Sequence, residues 1–390
     1  MRIIGDNIHQ LDLSKYIFKD KSIISIEKFN ISKSIIIPNN IKILEFDNCI
    51  NVKFSISSYN SLEKLVIRNC MNVIIPSNLT QLKQLYIYND FDNYCTIIDI
   101  PNYPNLIKLH IEKCINLKHI KNNNLKELYV YKCNELLTIP INLQKLTIIE
   151  SYKLNNLSSF LSELKYLHID TGRSIEDEKL INLYNQKINY KQKIKKVKKD
   201  ILKFNYYKDE IYGFLYGYIN FISSSLINLE ELHIYGTNIE IIPDTLINLK
   251  ILVLNNTKIN IIPDSLINLE RLDIIHNKNI STLPVSLTKL TKLYLNDCLM
   301  LDNIHNYSNL QCLFVSKCHK ISRIPPLNNL IDFYICNCDL IDKLPIFENI
   351  KIITIENCEQ FDINAFIKNY SELLNNKNID IYINNFIIYI

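Results

Sequence analysis

Two short segments, YLHID at residues 166–170 and ELHIY at 231–235, carry the pair of titratable side chains best placed for chemistry. His168 and His233 hold the same place in each, and Asp170 and Tyr235 lie two residues further on. If the segments lie side by side, two imidazoles and a carboxylate meet, a set able to bind a metal ion or move a proton. The plainer reading of the same cluster is a polar surface. Cys312, Cys318, Cys336 and Cys338 form a second group whose closeness in sequence invites a zinc site. No G-x-S-x-G, P-loop or HExxH motif occurs, and 5 glycines are too few for a phosphate-cradling loop. No catalytic residue, metal or cofactor is therefore assigned, and the chain reads as a non-enzyme.

What must position these side chains is a pattern of about twenty residues that recurs fourteen times. NLEELHIYGTNIEIIPDTLI begins at Asn228, NLKILVLNNTKINIIPDSLI at Asn248 and NLERLDIIHNKNISTLPVSL at Asn268. Apolar residues hold relative positions 1, 4 and 6, and position 9 takes a small polar residue or Cys. Position 1 runs from Ile41 to Leu164 in one block and from Leu229 to Ile350 in a second. Positions 4 and 6, such as Leu252 and Leu254, alternate as in a strand with one face in a core, so positions 3, 5 and 7 line the opposite face. Such self-similarity signals a solenoid, in which stacked neighbours bury what one unit cannot.

These residues resemble the leucine-rich repeat, with Ile in place of many leucines. The resemblance implies a horseshoe with one parallel concave β-sheet. Twenty residues leave room on the convex side only for a thin extended or 3₁₀ segment, and Pro243, Pro263 and Pro284 disfavour a helix there. Fourteen strands spaced about 4.8 Å apart make a sheet roughly 65 Å long. In relatives of this kind, position 9 points inward and caps backbone groups. Eight of the 11 cysteines, Cys49, Cys70, Cys114, Cys133, Cys298, Cys318, Cys338 and Cys358, fall on it. That register makes them structural thiols of a reduced, intracellular, cytoplasmic protein rather than a disulfide framework. It also sets Cys312 at position 3 and Cys336 at position 7, roughly 13 Å apart along the strands, whereas zinc holds its thiolates at about 2.3 Å.

The array is interrupted once. Residues 173–216 break the phase, and a helical spacing of Tyr190, Ile194, Val197, Ile201 and Phe204 marks them as a helical insertion. Residues 171–205 hold nine Lys and one Arg against four acids, although the whole chain nets only +4. Lys191, Lys193, Lys195, Lys196, Lys198 and Lys199 form its basic patch. A solvated helix packed on the solenoid explains the pattern; contact with nucleic acid or an anionic membrane is the functional alternative. The chain divides as an N-terminal cap over 1–40, repeats over 41–172, the insertion, repeats over 217–362 and a C-terminal cap over 363–390. The last cap reads as a helix over 363–376 and one apolar strand over 378–390. No stretch is long and apolar enough for a membrane span, and the first residues lack a secretory signal pattern.

Members of this family usually bind on the concave face. Position 5 there is aromatic or His in eight of fourteen copies, the residue types that anchor interfaces. The candidate partner-binding residues are Tyr86, Tyr88, Tyr129, Tyr131, His168, His233, Tyr294, Phe314 and Tyr334. Position 5 is expected to leave Tyr294 facing solvent. The resulting expectation is a scaffold that binds an unidentified protein, with no small-molecule substrate; an anionic surface recognised by the insertion is the second.

Overall fold

A computed structural model describes residues 2–4, 23–29, 35–56, 61–89, 95, 97–151, 153, 154, 157, 161–172, 219, 221–374, 379–384 and 386–388. The lysines assigned to the basic patch, Lys191 to Lys199, lie outside these residues, as does the rest of 173–216.

The first strands are β1 (Arg2–Ile4), β2 (Ile23–Glu27), β3 (Ile35–Ile37), β4 (Ile43–Asp47), β5 (Phe54–Ile56), β6 (Lys64–Arg68) and β7 (Gln84–Tyr88). Next come β8 (Lys108–Glu112), β9 (Glu127–Tyr131), β10 (Lys145–Ile149), β11 (Tyr166–Asp170), β12 (Glu231–Tyr235), β13 (Ile251–Asn255) and β14 (Arg271–Ile275). The series ends with β15 (Lys292–Asn296), β16 (Cys312–Ser316), β17 (Asp332–Cys336), β18 (Ile352–Glu356), helix α1 (Ile363–Leu374), β19 (Asp380–Ile383) and β20 (Phe386–Ile388). Eighteen strands join one sheet. All its pairings are parallel except β19 with β20. The fourteen repeat strands are extended by β1 and β2 at one end and by β19 and β20 at the other. Among the described residues, only β3 and β5 stand apart, as a small parallel pair on the back of the first repeats.

Each repeat strand is five residues of alternating burial. Leu252, Leu254, Leu272 and Ile274 are fully buried and meet their counterparts in direct register. The aliphatic side chains at positions 1, 4 and 6 fill a single continuous core. Exposure is the reason for the stacking: a lone repeat would leave this apolar row in water, and about 25 cal/mol per Å² is recovered when a neighbour covers it.

The strand stops at position 8, where the chain enters the left-handed region. Asn48, Asn256, Asn337 and Asn357 have φ between 50° and 52° there, and Lys113, Lys132, Glu150, His276 and Lys317 adopt the same conformation. Asn tolerates it through local side-chain hydrogen bonding, whereas the other residues strain. The bend still continues the ladder, since Asn256 N–H donates to the Ile275 carbonyl at 2.9 Å. Gly172, just before the insertion, has φ +70°, and a Cβ there would lie 2.4 Å from Glu150 Cγ. Gly172→Ala is therefore expected to cost about 1–2 kcal/mol, seen as a lowered thermal midpoint; an unchanged midpoint would mean that this turn relaxes freely.

The C-terminal end corrects one expectation. In place of a single strand over 378–390, β19 turns at Asn384 (φ 45°) and β20 returns antiparallel. Asn384 Oδ1 also accepts from Asn357 N–H at 2.8 Å, tying the turn to the last repeat. Helix α1 starts with Asp362 Oδ1 accepting from Ala365 N–H at 2.9 Å, an N-cap. Its Tyr370 is fully buried and donates its hydroxyl to the Pro345 carbonyl at 2.6 Å. Phe366 and Tyr370 thereby cover the apolar end of the solenoid.

Candidate functional site

Position 9 works in the interior, not on the face. All eight cysteines of that column aim their thiols at the carbonyl two residues earlier, at 3.1 to 3.8 Å. Asn277, fully buried, does more: its Nδ2 donates to the Ile259 carbonyl at 2.9 Å, and its Oδ1 accepts from Asn279 and Ile280 N–H. Cys312 and Cys336 lie at opposite ends of adjacent strands, as their register requires. No group of three or more metal-ligating side chains occurs among the described residues.

The concave face carries three aromatic groups. In the first, Tyr86, Tyr88, His110 and Tyr129 pack on β7 to β9, with the His110 and Tyr129 rings stacked at 3.9 Å. Lys64 and Arg68 lie over Tyr86 and Tyr88 at 5.0 and 5.7 Å, so cations already cover these rings. Tyr131 is buried, with Lys132 5.3 Å from its ring centre. Burial pushes the Tyr88 hydroxyl up to about 12.

The second group is central. Strands β11 and β12 pair in register across the insertion, so His168 meets His233 and Asp170 meets Tyr235. The two imidazoles stack at 5.9 Å with planes 15° apart. His168 also stacks on Tyr235 at 4.9 Å, and Tyr166 tilts against His233 at 5.3 Å. Burial raises the Asp170 carboxyl, a rise opposed by a hydrogen bond from Gly172 N–H. The cluster is thus a half-buried polar patch in the floor of the face.

The third group lies on β14 to β17. Arg271 holds buried Asp273 through two nitrogens, at 2.9 and 2.7 Å, and covers the Tyr294 ring at 5.2 Å. Tyr294, Phe314 and Tyr334 follow on consecutive strands, and the last two rings are parallel within 2° at 4.6 Å. Tyr294 departs from expectation: it is half-buried, and burial pushes its hydroxyl far up. Neighbouring side chains on strands about 4.8 Å apart shield each other, so pointing away from the core does not mean full exposure. Tyr334 donates to Glu356 at 2.9 Å.

One further column escaped the sequence reading. The Asn just before position 1 donates its Nδ2 to a backbone carbonyl of the previous repeat in nine copies, from Asn105 to Asn349. Its signal was visible as the invariant first letter of NLEEL, NLKIL and NLERL.

Comparison with solved structures finds the same architecture elsewhere. The chain is similar to a leucine-rich-repeat protein of Leptospira interrogans, with 17% identity, a TM-score of 0.54, and coverage of 88% of this chain and 90% of that one. It also matches the functional domain of InlJ from Listeria monocytogenes, which includes a cysteine ladder, at 16% identity and TM-score 0.44 over 88% and 68% of the two chains. The internalin InlF of the same organism matches at 18% and 0.41, over 83% and 81%. By sequence, no family model and no curated protein matches. From its repeat register, the parallel pairing of its repeat strands and the first of these likenesses, the chain has the leucine-rich-repeat solenoid fold.

Proposed function

We propose that this chain is a non-enzymatic scaffold whose concave face binds a partner protein. The observation that carries the reading is the row Tyr294, Phe314 and Tyr334, three half-buried aromatic rings on consecutive strands of one open face. Rings held this way cost little further ordering on binding and bury large area. Tyr86, Tyr88, Tyr129, His168 and His233 extend the contact along the same face, whereas Tyr131 is buried and adds nothing to it. The 11 free cysteines support an intracellular, cytoplasmic setting, where thiols stay reduced.

Affinity purification from the native cell, followed by mass spectrometry, identifies the partner. Phe314→Ala and Tyr334→Ala are each expected to weaken its binding by about 1–3 kcal/mol. Their combined effect should fall short of the sum, since the rings touch. Alanine at Lys191, Lys193, Lys195, Lys196, Lys198 and Lys199 should change little. The reverse pattern, with binding insensitive to the aromatics but abolished by the lysine changes and by moderate salt, would replace this reading with contact to nucleic acid or an anionic membrane through the insertion.

A further inference from the structure

The turns directly after the insertion carry an aliphatic patch on the convex side that the later turns lack. Phe221, Ile241 and Ile261 hold one place in three consecutive turns, each just before a buried neighbour, Ile222, Ile242 or Ile262. Ile227, Ile247 and Ile267 hold a second place, each just after buried Leu226, Leu246 or Leu266. All six are exposed, Ile241 and Ile261 at 72% and 68%. The three turns stack closely: Thr245 donates its hydroxyl to the Ser224 carbonyl at 2.6 Å, and Asn268 donates to the Ile247 carbonyl at 2.8 Å. In the four turns that follow, the first place becomes Thr282, Asn303, Arg323 and Lys343, and the second Thr288, Ser308, Asn328 and Glu348. Those turns bury the same kind of core, so packing inside the solenoid does not require the six apolar residues outside. An exposed apolar patch confined to one stretch marks a surface that something covers.

Charge and connectivity select the occupant. Glu240, Asp244 and Asp264 are exposed beside the two rows, against Lys258 alone. Asp264 meets the Ser286 hydroxyl at 3.5 Å, and among the described residues no salt bridge engages any of the three acids. A second copy of this face would set acid against acid, and an anionic membrane would be repelled. A segment with an apolar stripe and basic flanks fits, and the chain supplies one. It leaves the solenoid after Gly172 and re-enters at Ile219, two residues before Phe221. Between them, outside the described residues, Tyr190, Ile194, Val197, Ile201 and Phe204 recur at helical spacing, with the lysines between 191 and 199 alongside. At about 1.5 Å per residue such a stripe is about 21 Å long. Residues 205–218 reach about 46 Å when extended, so the connection lets the stripe lie on the patch. Tethering also holds it at a roughly millimolar effective concentration.

We propose that segment 173–216 docks on the convex face of its own chain, with Tyr190, Ile194, Val197, Ile201 and Phe204 against the two aliphatic rows and its lysines against Glu240, Asp244 and Asp264. This contact lies on the opposite side of the solenoid from the concave face and stands whether or not that face binds a protein. A water-soluble carbodiimide, which joins a carboxylate to a lysine amine only where the two touch, tests it on the full chain. An equimolar mixture of unlabelled and heavy-isotope protein is treated, the monomer fraction is collected by gel filtration, and linked peptides are read by mass spectrometry. Amides joining Glu240, Asp244 or Asp264 to lysines between 191 and 199 are expected, always within one isotope. They are expected to disappear in Ile241→Ser with Ile261→Ser; both side chains lie outside the core, and a thermal melt verifies folding. Should that variant not fold, Ile201→Ser with Phe204→Ser removes the other side of the contact and is expected to lose the same links. Links to other acids instead of these three, links between the two isotopes, no links at all, or links that survive the serine variants overturn the proposal.

Discussion

Leu272→Ala is expected to destabilise the protein by about 2–5 kcal/mol, read as a fall in the denaturant midpoint at unchanged slope. Leu272 is fully buried at position 4 of β14, between Leu252 and Leu293 on the adjacent strands. Truncation opens a hole that both neighbours line. Neither can move in to close it, because each is fixed by its own pairing in the ladder. The upper half of the range is therefore expected. Tyr294, on the other face of the next strand, provides the contrast: Tyr294→Ala should lose distinctly less, since that ring is only half-buried. Equal losses at the two sites would contradict the alternation of core and concave positions.

Asn277→Ala is expected to cost about 3 kcal/mol, from three buried backbone partners left unsatisfied at roughly 1 kcal/mol or more each. Those partners are the Ile259 carbonyl and the amides of Asn279 and Ile280. Asn277→Cys is the informative companion. Eight other repeats carry Cys at this position and bond through sulfur to the carbonyl two residues back. Cysteine should fill the volume and recover part of the loss but not the two amide bonds. A variant with Cys as unstable as the one with Ala would show that filling the site counts for nothing and that the amide bonds carry the whole effect.

The solenoid was legible because its signal is redundant. Positions 1, 4 and 6 repeat fourteen times, and stacking requires that they coincide in space. The same phase put His168 beside His233 across an interruption of about 44 residues. Features that depend on distances between strands were not legible. Period-two alternation says which face Tyr294 occupies, but the shielding it receives from Arg271 and Phe314 depends on how closely the strands lie. The return of β20 was hidden because Asn384 lies in an apolar run that also suits one long strand. The left-handed turn at position 8 was obscured by its mixed occupants: Asn48 or Asn256 suggests it, whereas Lys113, Glu150 and Lys317 argue against it and accept strain because the ladder on both sides holds them.

The buried thiols along the inner edge have an experimental use beyond their packing. Cys49, Cys70, Cys114 and Cys133 lie in the first repeats, and Cys298, Cys318 and Cys338 in the last. Each can react with an alkylating reagent only when its own rung opens. In a stack held together chiefly by nearest-neighbour contacts, opening starts where a rung has one neighbour instead of two. Pulsed alkylation read out by peptide mass would thus register melting one rung at a time, and the order in which the seven thiols become labelled would tell from which end the solenoid unzips.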